Sequence, residues 1–453
     1  MSVERRDCIK SVETTTQLPE GRRRSHGQPK PFEISKWDVM TAFGKVKANK
    51  GGAGVDGVTI EDFEKDLGNN LYKIWNRMSS GAYFPPPVAG VSIPKKSGGE
   101  RILGIPTVSD RVAQTVVRDK LEIMLEHHFL DDSYGYRVGK SAHDAIEVTR
   151  RRCWQYDWVL EFDIKGLFDN IRHDLLMKAV RKHIQLAEES QSRDYQWVTL
   201  YIERWLVAPL QKADGTKTSR EIGTPQDGVV SPVLANLFLH YVFDKWLEKN
   251  YPDNPWCRYA DDGLVHAKTR LKAEKLRDDL AKRFKECGLE MHPTKTKIVY
   301  CKDDARRGSG NHIEHTQFEF LGYTFRARTN KRKRTGQLYN NFTPAVSMSA
   351  KKAMRRKIKE LKIRQKTLYS LEQLSRWLSP MLNGWINYYG KFRRSELGSV
   401  FRHFNKTLVR WARRKFKSLK CHKSRAIVFF DKLSAQCPRL FPHWKFGSAR
   451  SFT

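Results

Sequence analysis

The order of apolar and polar residues along the chain predicts both helices and short strands. Residues 110–128 repeat apolar side chains such as Val112 and Val116 at helical spacing, as an amphipathic helix does. Residues 158–171 begin as an apolar strand, and residues 258–267 read as a strand, an acidic turn and a second strand. The chain therefore combines helices with sheet, and no repeat period indicates a solenoid.

The N-terminal part of the chain predicts an arm, two helices and a hairpin. Residues 1–30 are polar and basic, and we expect a flexible arm there. Amphipathic helices are expected over 34–48 and 59–78, and the side chain of Thr59 can cap the second one. Residues 79–107 alternate strand-like pieces with Pro and Gly, which is typical of a hairpin.

The charge of the chain is concentrated in its C-terminal part. The formal net charge is +34, and from Leu321 onward 33 Lys and Arg accompany only four Asp and Glu. A polyanion neutralises such a density of cations, and phosphate backbones are the usual one. A solubilising surface and an anionic membrane are the alternatives. Trp385, Tyr388 and Tyr389 lie among the basic residues at helical spacing, so we expect a folded domain in which these rings either pack a helix core or stack on bases.

The sequence gives no sign of a membrane segment or of export. No run approaches the roughly 18 apolar residues of a membrane span, and the N-terminus lacks the apolar core of a signal peptide. The seven cysteines are scattered and include no C-x-x-C pair, so reduced thiols are expected. We therefore expect no membrane partner and a cytoplasmic location, in a bacterium or in an organelle of bacterial origin.

Three carboxylates stand in settings that indicate chemistry. Asp163 follows an apolar strand, and Asp261 and Asp262 lie together between two apolar segments. Adjacent aspartates in a tight turn repel each other, and a divalent cation removes that repulsion. Hard oxygen ligands of this kind suit magnesium, which is often held by carboxylates together with substrate phosphates. An isolated Asp-Asp pair is more often structural, so the assignment depends on the surrounding motifs.

Eight sequence blocks place these carboxylates in a recognisable context. The blocks are GGAGVDG (51–57), VSIPKKSGGERILGIPTVSDRVAQ (91–114), SYGYRVGKSAHDAI (133–146), EFDIKGLFDNIRHDLL (161–176), GTPQDGVVSPVLANLFL (223–239), RYADD (258–262), GLEMHPTKTKIV (288–299) and FEFLGYTF (318–325). In this order they resemble the group II intron-encoded reverse transcriptases of the maturase type. The segment LNGWINYYGKFRR (382–394) is similar to the start of the maturase domain of that family.

The resemblance implies an α+β fold, the right-hand polymerase. Its fingers and palm, with a mixed palm sheet, and its α-helical thumb or maturase domain would follow one another along the chain. The implied divisions are a basic flexible arm (1–34), fingers and palm (35–325), a basic linker (326–345), the thumb (346–415) and a small basic nucleic-acid-binding module (416–453). No paired cysteines of an appended endonuclease occur before Thr453, so the endonuclease-lacking form of the family is expected.

The family's catalytic residues carry over onto matching positions. The resemblance implies that Asp163 and Asp261 bind two Mg²⁺ ions, with Mn²⁺ as an alternative. It also implies that the backbone carbonyl of Ile164 assists and that Asp262 completes the acidic turn. Lys295 matches a lysine that would protonate the pyrophosphate.

Four further positions match the nucleotide-binding residues of the family. Lys95 and Arg101 would meet the triphosphate of the incoming dNTP, and a guanidinium suits this role because it offers a bidentate fork. Phe168 would lie under the sugar and exclude a 2′-hydroxyl, although a phenylalanine on that segment is more often plain core and only the motif supports this role. Gln226 would pack near the nucleotide and the template. Where the family usually has Gly-Gly after Pro-Gln, this chain has Asp227 and then a glycine, and the effect on activity is left open.

The function implied is RNA-directed DNA synthesis combined with binding of the parent group II intron RNA, for splicing and for mobility by target-primed reverse transcription. RNA template, DNA primer or target and dNTP are the expected partners, and a homodimer is left open. The cations expected to hold RNA are Arg355, Arg356, Lys357, Arg413 and Arg414. Two alternatives stay open: a reverse transcriptase acting outside an intron, in host defence or repair, and a catalytically idle RNA-binding splicing factor.

Overall fold

The computed structural model describes residues 30–94, 99–191, 194–304, 314–332, 334–446 and 452. Residues 1–29 of the expected arm, and Lys95 of the expected nucleotide site, lie outside the described residues. Three hydrophobic cores organise the described chain: a large N-terminal one, one beside the sheet that carries the acidic residues, and one among the C-terminal helices. Within the described ranges, no helix is long and apolar enough to cross a membrane.

The N-terminal elements are four helices and a hairpin. They are α1 (Lys36–Asn49), α2 (Ile60–Lys65), α3 (Leu67–Ser79), β1 (Val88–Pro94), β2 (Glu100–Ile105) and α4 (Val108–Leu125). Thr59 caps α2 in a capping box with Asp62, as its sequence indicated. The single helix expected over 59–78 is interrupted at Asp66, whose φ of −129° and ψ of 48° are not helical and whose carboxylate accepts a hydrogen bond from Asn69 at 2.8 Å.

The middle of the chain builds the sheet that carries the acidic residues and the helices behind it. Its elements are α5 (Ala142–Gln155), β3 (Trp158–Asp163), α6 (Leu167–Asn170), α7 (His173–Gln191), α8 (Gln196–Leu206), β4 (Leu210–Gln211), β5 (Lys217–Thr218), α9 (Ser231–Leu239), α10 (Lys245–Asn250), β6 (Trp256–Tyr259), β7 (Asp262–Ala267), α11 (Arg270–Glu286) and β8 (Lys297–Tyr300). A π-helical turn, His240–Asp244, joins α9 to α10.

Two of the sheets contain four strands each. The first has the order β2-β1-β4-β5 and contains one parallel pair, β1 with β4. The second, called the palm sheet below, has the order β6-β7-β3-β8, and every neighbouring pair in it is antiparallel. The mixed palm sheet that we expected is therefore antiparallel, because β3 lies between β7 and β8, which run in the same direction, and a tight turn joins β6 to β7.

The stretch expected as a basic linker, 326–345, lies instead in a hairpin. Strands β9 (Gln317–Phe320), β10 (Tyr323–Lys331) and β11 (Leu338–Val346) form a three-stranded antiparallel sheet. Phe325 and Phe342 are fully buried beneath it. The basic residues obscure the alternation in the sequence, because most of them occupy the exposed positions of the strands while the apolar ones point inward.

The C-terminal part is a helical bundle around its own core. Its helices are α12 (Met348–Glu360), α13 (Leu371–Tyr389), α14 (Gly398–Lys415) and α15 (Lys423–Gln436). Phe430, Phe441 and Trp444 are fully buried in the same core as α12 to α14. Residues 416–446 thus pack as part of the bundle rather than as the separate small module that we expected, because three large aromatic side chains bury themselves against it.

An aromatic cluster joins the bundle to the rest of the molecule. The Tyr388 hydroxyl donates to the carbonyl of Leu321 at 2.9 Å, and the His143 Nε2 atom on α5 lies 2.8 Å from the carbonyl oxygen of Tyr388. The Tyr323 ring packs against both Tyr388 and Tyr389, with centroids 5.8 and 5.6 Å apart. Two of the aromatic residues that were expected either to pack or to stack on RNA bases are therefore packing residues.

Candidate active site

The register of the palm sheet brings the three aspartates together. In the pairing of β3 with β7, Asp163 lies directly opposite Asp262. Strands β6 and β7 are joined by a two-residue turn, Ala260 and Asp261, and Ala260 has a φ of 57°. A positive φ at the first turn residue is what a tight hairpin with the natural twist of strands requires. Asp261 thus occupies the tip of the hairpin, beside the other two carboxylates.

A buried arginine anchors this turn from behind. Arg258 is fully buried, and its guanidinium donates to both carboxylate oxygens of Asp244 at 2.8 and 2.7 Å. It also donates to Ser133 Oγ at 2.8 Å, to Asn236 Oδ1 at 3.0 Å and to the carbonyl of Ala260 at 3.3 Å. Burial raises the pKa of Asp244, and the charge of Arg258 opposes this rise. The pair holds the strand before the acidic turn to the π-helical turn.

Crowding of the carboxylates shifts their titration. Burial, followed by the negative charges of Asp261 and Asp163, raises the pKa of Asp262 to about 7. Burial and the charge of Asp163 also raise the pKa of Asp261. Lys295 opposes both shifts, and its ammonium group donates to Asp163 Oδ2 at 2.8 Å. The three carboxylates thus lie together in one half-buried site, and their mutual repulsion favours the binding of a cation there.

These residues fit a divalent metal ion in their chemistry. Among the described residues, no three His, Cys, Asp or Glu side chains are already grouped as a complete metal site. The donor set is nevertheless one of hard carboxylate oxygens, as magnesium prefers. Lys295 supplies the only positive charge that is hydrogen-bonded to Asp163 within the described ranges. The carbonyl-bearing residue Ile164 is buried at the end of β3 and pairs with Met291.

On the other side of the cleft, a chain of hydrogen bonds joins the hairpin to the palm sheet region. The Arg101 guanidinium donates to Gln226 Oε1, and Gln226 Nε2 donates to both oxygens of Asp169 at 3.1 and 3.0 Å. The amide of Gly104 in β2 donates to the Gln226 carbonyl at 2.8 Å. Phe168, next to Asp169, is half-buried at the margin of the N-terminal core. Three of the four expected nucleotide-binding positions lie at or beside this network, although they come from separate segments of the chain: Arg101, Phe168 and Gln226.

Comparisons with known proteins decide the family. The family model described as "Reverse transcriptase (RNA-dependent DNA polymerase)" matches residues 93–325. The chain belongs to the reverse transcriptase family. A second model, "Group II intron, maturase-specific domain", matches residues 351–427. The expected group II intron reverse transcriptase and maturase, its polymerase fold and its RNA-directed DNA polymerase activity are thereby confirmed. Reverse transcriptases generally use divalent metal ions, and an RNA partner follows from the maturase domain.

Individual relatives are similar over different shares of this reverse transcriptase. Protein YkfC of Escherichia coli strain K12 is 30% identical over 324 residues, which is 63% of this chain and 78% of YkfC. The group II intron-encoded protein LtrA of Lactococcus lactis is 34% identical over 203 residues, which is 44% of this chain and 32% of LtrA. The alignment therefore spans about a third of the length of LtrA. A solved telomerase from Candida albicans, in complex with a fragment of telomeric RNA, has 13% identity and a TM-score of 0.44, covering 84% of this chain and 68% of that one.

The reverse transcriptase cleft contains residues that the sequence motifs did not single out. Tyr136 has a φ of 57° and is 52% exposed. Burial and the charge of Asp261 raise the pKa of its hydroxyl, while the charge of Arg101 lowers it, so charges of both the acidic turn and the hairpin act on this residue. Gly135 explains how it is placed, because a Cβ there would lie 2.4 Å from the Ala260 nitrogen. The run Tyr-Gly-Tyr within an otherwise polar motif was the signal available for Tyr136.

The loop between β5 and α9, which carries Gln226, contains the residue that departs from the family pattern. Asp227 is exposed and has a φ of 81°, in the left-handed region that favours glycine. The glycine that the family usually has at this position therefore matches the backbone geometry, and the aspartate in this chain adopts a strained conformation.

Only two of the five cations expected to hold RNA line the same cavity of the bundle. Arg355 and Arg356 on α12 line one cavity, together with residues of α14. Lys357 and Arg414 are exposed, and Arg413 is half-buried. None of these last three lines that cavity. The structure thus brings together two of the five expected residues.

Proposed function

We propose that this reverse transcriptase extends a primer 3′ end with dNTPs on an RNA template and also holds its parent group II intron RNA, assisting splicing and mobility by target-primed reverse transcription. The observation that carries the catalytic part is the alignment of Asp163 and Asp262 across β3 and β7, with Asp261 at the adjoining turn. These carboxylates lie on a rigid sheet beneath a cleft whose other side is basic and polar, as polymerisation on a polyanion requires.

We propose that Asp163 and Asp261 hold two Mg²⁺ ions, with the Ile164 carbonyl assisting and Asp262 adjusting the charge of the turn; Mn²⁺ is the alternative. When bound, such ions activate the primer hydroxyl and stabilise the leaving pyrophosphate. Lys295 is suited to donate a proton to that leaving group because its ammonium already lies at Asp163.

On the nucleotide side, Arg101 is proposed to bind the triphosphate and Gln226 to orient Arg101. The two hydrogen bonds that Gln226 Nε2 donates to Asp169 fix the Gln226 amide so that its oxygen faces the guanidinium. Phe168 is proposed as the residue under the sugar, since it lies beside this network and is only half-buried. Lys95 is proposed as a second triphosphate ligand on the strength of the sequence motif alone.

The RNA-holding part of the proposal is supported by the charge of the C-terminal bundle. The 33 basic residues from Leu321 onward exceed the acidic ones by far, and neutralisation of phosphates makes binding fall as salt rises, with a log–log slope of about 0.7 per contact on a single strand. Reversing the charge of Arg355, Arg356, Arg413 and Arg414 should weaken binding of group II intron RNA and its splicing together. Extension of a short primer on a generic template should fall less, and equal losses in all three assays would limit the bundle to a polymerase thumb.

Primer extension on an RNA template tests the catalytic assignment. The double variant Asp261→Asn with Asp262→Asn should lose nucleotide addition while its RNA affinity remains nearly unchanged, because carboxylates and not phosphate contacts are removed. Asp253→Asn is the control, since Asp253 is an exposed acid that precedes β6, at the opposite end of that strand from the acidic turn, and its side chain lies 3.9 Å from Lys272. Undiminished synthesis by the double variant would refute the site.

A further inference from the structure

A cavity of about 590 Å³ opens in the C-terminal bundle, between α12 and α14. The short 3₁₀ turn Ile363–Gln365 closes its third side. Cavities that take small molecules commonly enclose about 300–1,000 Å³, so this one has room for a nucleotide. It lies in the maturase-specific segment, apart from the three aspartates of the palm sheet.

The rim of the cavity is a group of cations without counter-ions. These cations are Arg355, Lys359, Lys362, Arg364 and Arg410. None of the five forms an ion pair with an acid among the residues that the structure describes. The neighbouring Arg356 does have a partner, since its Nε lies 3.7 Å from Glu360. Five uncompensated positive charges around one concavity repel one another, and a bound anion would relieve that repulsion.

The floor of the cavity differs from its rim. Ile358 and Ile363 are 1% and 0% exposed, so they back the cavity without offering a face to a ligand, and the aromatic surface in its lining is the half-buried imidazole of His403. Gln365 contributes an amide that makes no side-chain hydrogen bond to any described residue, and Thr407 donates to the carbonyl of His403 at 3.0 Å. Burial and the charges of Arg355 and Arg410 lower the pKa of His403, which favours a neutral imidazole able to stack or to accept a hydrogen bond.

An imidazole, an amide and a cationic rim match the parts of one nucleotide. A base can stack on the His403 ring with its edge toward Gln365, while its phosphates reach the rim. Proteins read RNA mostly at loops and bulges, where an unstacked base can leave the helix and enter a pocket. A paired duplex presents no unstacked base that could enter the cavity.

We propose that this cavity binds a single unpaired nucleotide of an RNA and thereby selects bulged or looped sites. The inference rests on the proposed RNA-holding function and adds to it a position of specificity. Cations elsewhere on the bundle would supply affinity that does not depend on sequence, whereas the cavity would distinguish an extruded base from a paired one.

Three RNA hairpins and the full chain test the proposal: one with a single bulged nucleotide, one fully paired, and one whose bulged position lacks its base. We expect the wild-type protein to bind the bulged hairpin roughly tenfold more tightly than the other two, within the range that stacking of one base supplies. Replacing Arg364 and Arg410 by Gln should remove most of this preference. Replacing Lys417 and Lys420 by Gln is the control, because it removes the same charge from exposed residues outside the cavity, and it should weaken all three hairpins equally.

Two results would overturn the inference. Equal binding of the three hairpins by the wild-type protein would mean that no base enters the cavity. Loss of affinity by the same factor for all three hairpins in the Arg364 and Arg410 variant would mean that the rim is ordinary electrostatic surface. In both cases salt-dependent binding would persist and the RNA-holding proposal would stand, whereas failure of the wild-type protein to bind any of the hairpins would count against that proposal itself.

Discussion

Replacement of Arg258 by Met should destabilise the palm sheet without touching any residue assigned to the substrate. The guanidinium makes five hydrogen bonds between 2.7 and 3.3 Å, two of them to Asp244, which is fully buried. Removing one partner of a buried ion pair leaves an uncompensated charge and costs about 3–5 kcal/mol. We expect a loss of that size in the free energy of unfolding of the N-terminal core, together with reduced polymerase activity.

The double variant Arg258→Met with Asp244→Leu sharpens this expectation. Replacing both partners by apolar residues removes the buried charge as well as its counter-ion, so the double variant should be more stable than Arg258→Met alone. The single variant should also recover part of its stability at low pH. Burial already raises the pKa of Asp244, and without Arg258 this rise is larger, so the carboxyl is neutral at low pH and the stability is lost as pH rises through the folded-state pKa.

Urea unfolding by circular dichroism, combined with hydrogen exchange on peptides covering β6 and β7, measures the loss in the palm sheet separately from the C-terminal bundle. Arg181→Met serves as control because the Arg181 pair with Glu203 is 61% and 41% exposed, and exposed pairs contribute at most about 1 kcal/mol. A loss below about 1 kcal/mol in Arg258→Met, or strictly additive losses in the double variant, would refute the reasoning.

Three further substitutions test the site and its surroundings. Phe168→Ala should raise ribonucleotide incorporation and cost less than the roughly 3–5 kcal/mol of a fully buried phenylalanine; unchanged selectivity with a large drop in melting temperature would make it plain core. Gly263→Ala should cost about 1–3 kcal/mol in thermal melting, because the added Cβ would lie 2.1 Å from the buried Phe162 ring. Asp227→Gly should raise the free energy of unfolding by up to about 1 kcal/mol, because glycine adopts a φ of 81° without strain. Asp227→Ala removes the charge but keeps the Cβ, so equal melting temperatures of the two variants would argue against strain.

The sequence was sufficient to bring the aspartates of the cleft together, because their motifs end strands. Asp163 closes one apolar strand and Asp262 begins another, so an antiparallel pairing of these two strands places the acids side by side. The cap at Thr59 was likewise predictable, since a capping box is a local pattern. Local order and strand ends are the kinds of information that a single sequence retains.

Contacts between distant segments could not be predicted in this way. Gln226 meets Asp169, 57 positions away in the chain, and no period or motif specifies that hydrogen bond. Arg258 looked like one more basic residue before the acidic turn, although it is the most polar of the largest fully buried side chains. The hairpin at 326–345 was mistaken for a linker because Arg326 and Lys331 occupy exposed positions of β10, and these basic residues outweighed the buried apolar side chains in the pattern.

The aromatic cluster around Tyr388 has a mechanical consequence for a polymerase that must advance along its template. Bonds from this tyrosine reach both Leu321 and His143, so the helical bundle is tied to the palm side at two separate points. We expect the bundle and the palm to move as one rigid body during each cycle of synthesis. The β1–β2 hairpin then forms the opposite side of the cleft. It contacts the palm side where Gly104 and Arg101 donate hydrogen bonds to Gln226. Weakening the hydrogen bonds between the hairpin and Gln226 should change the number of nucleotides that the enzyme adds before it releases its template.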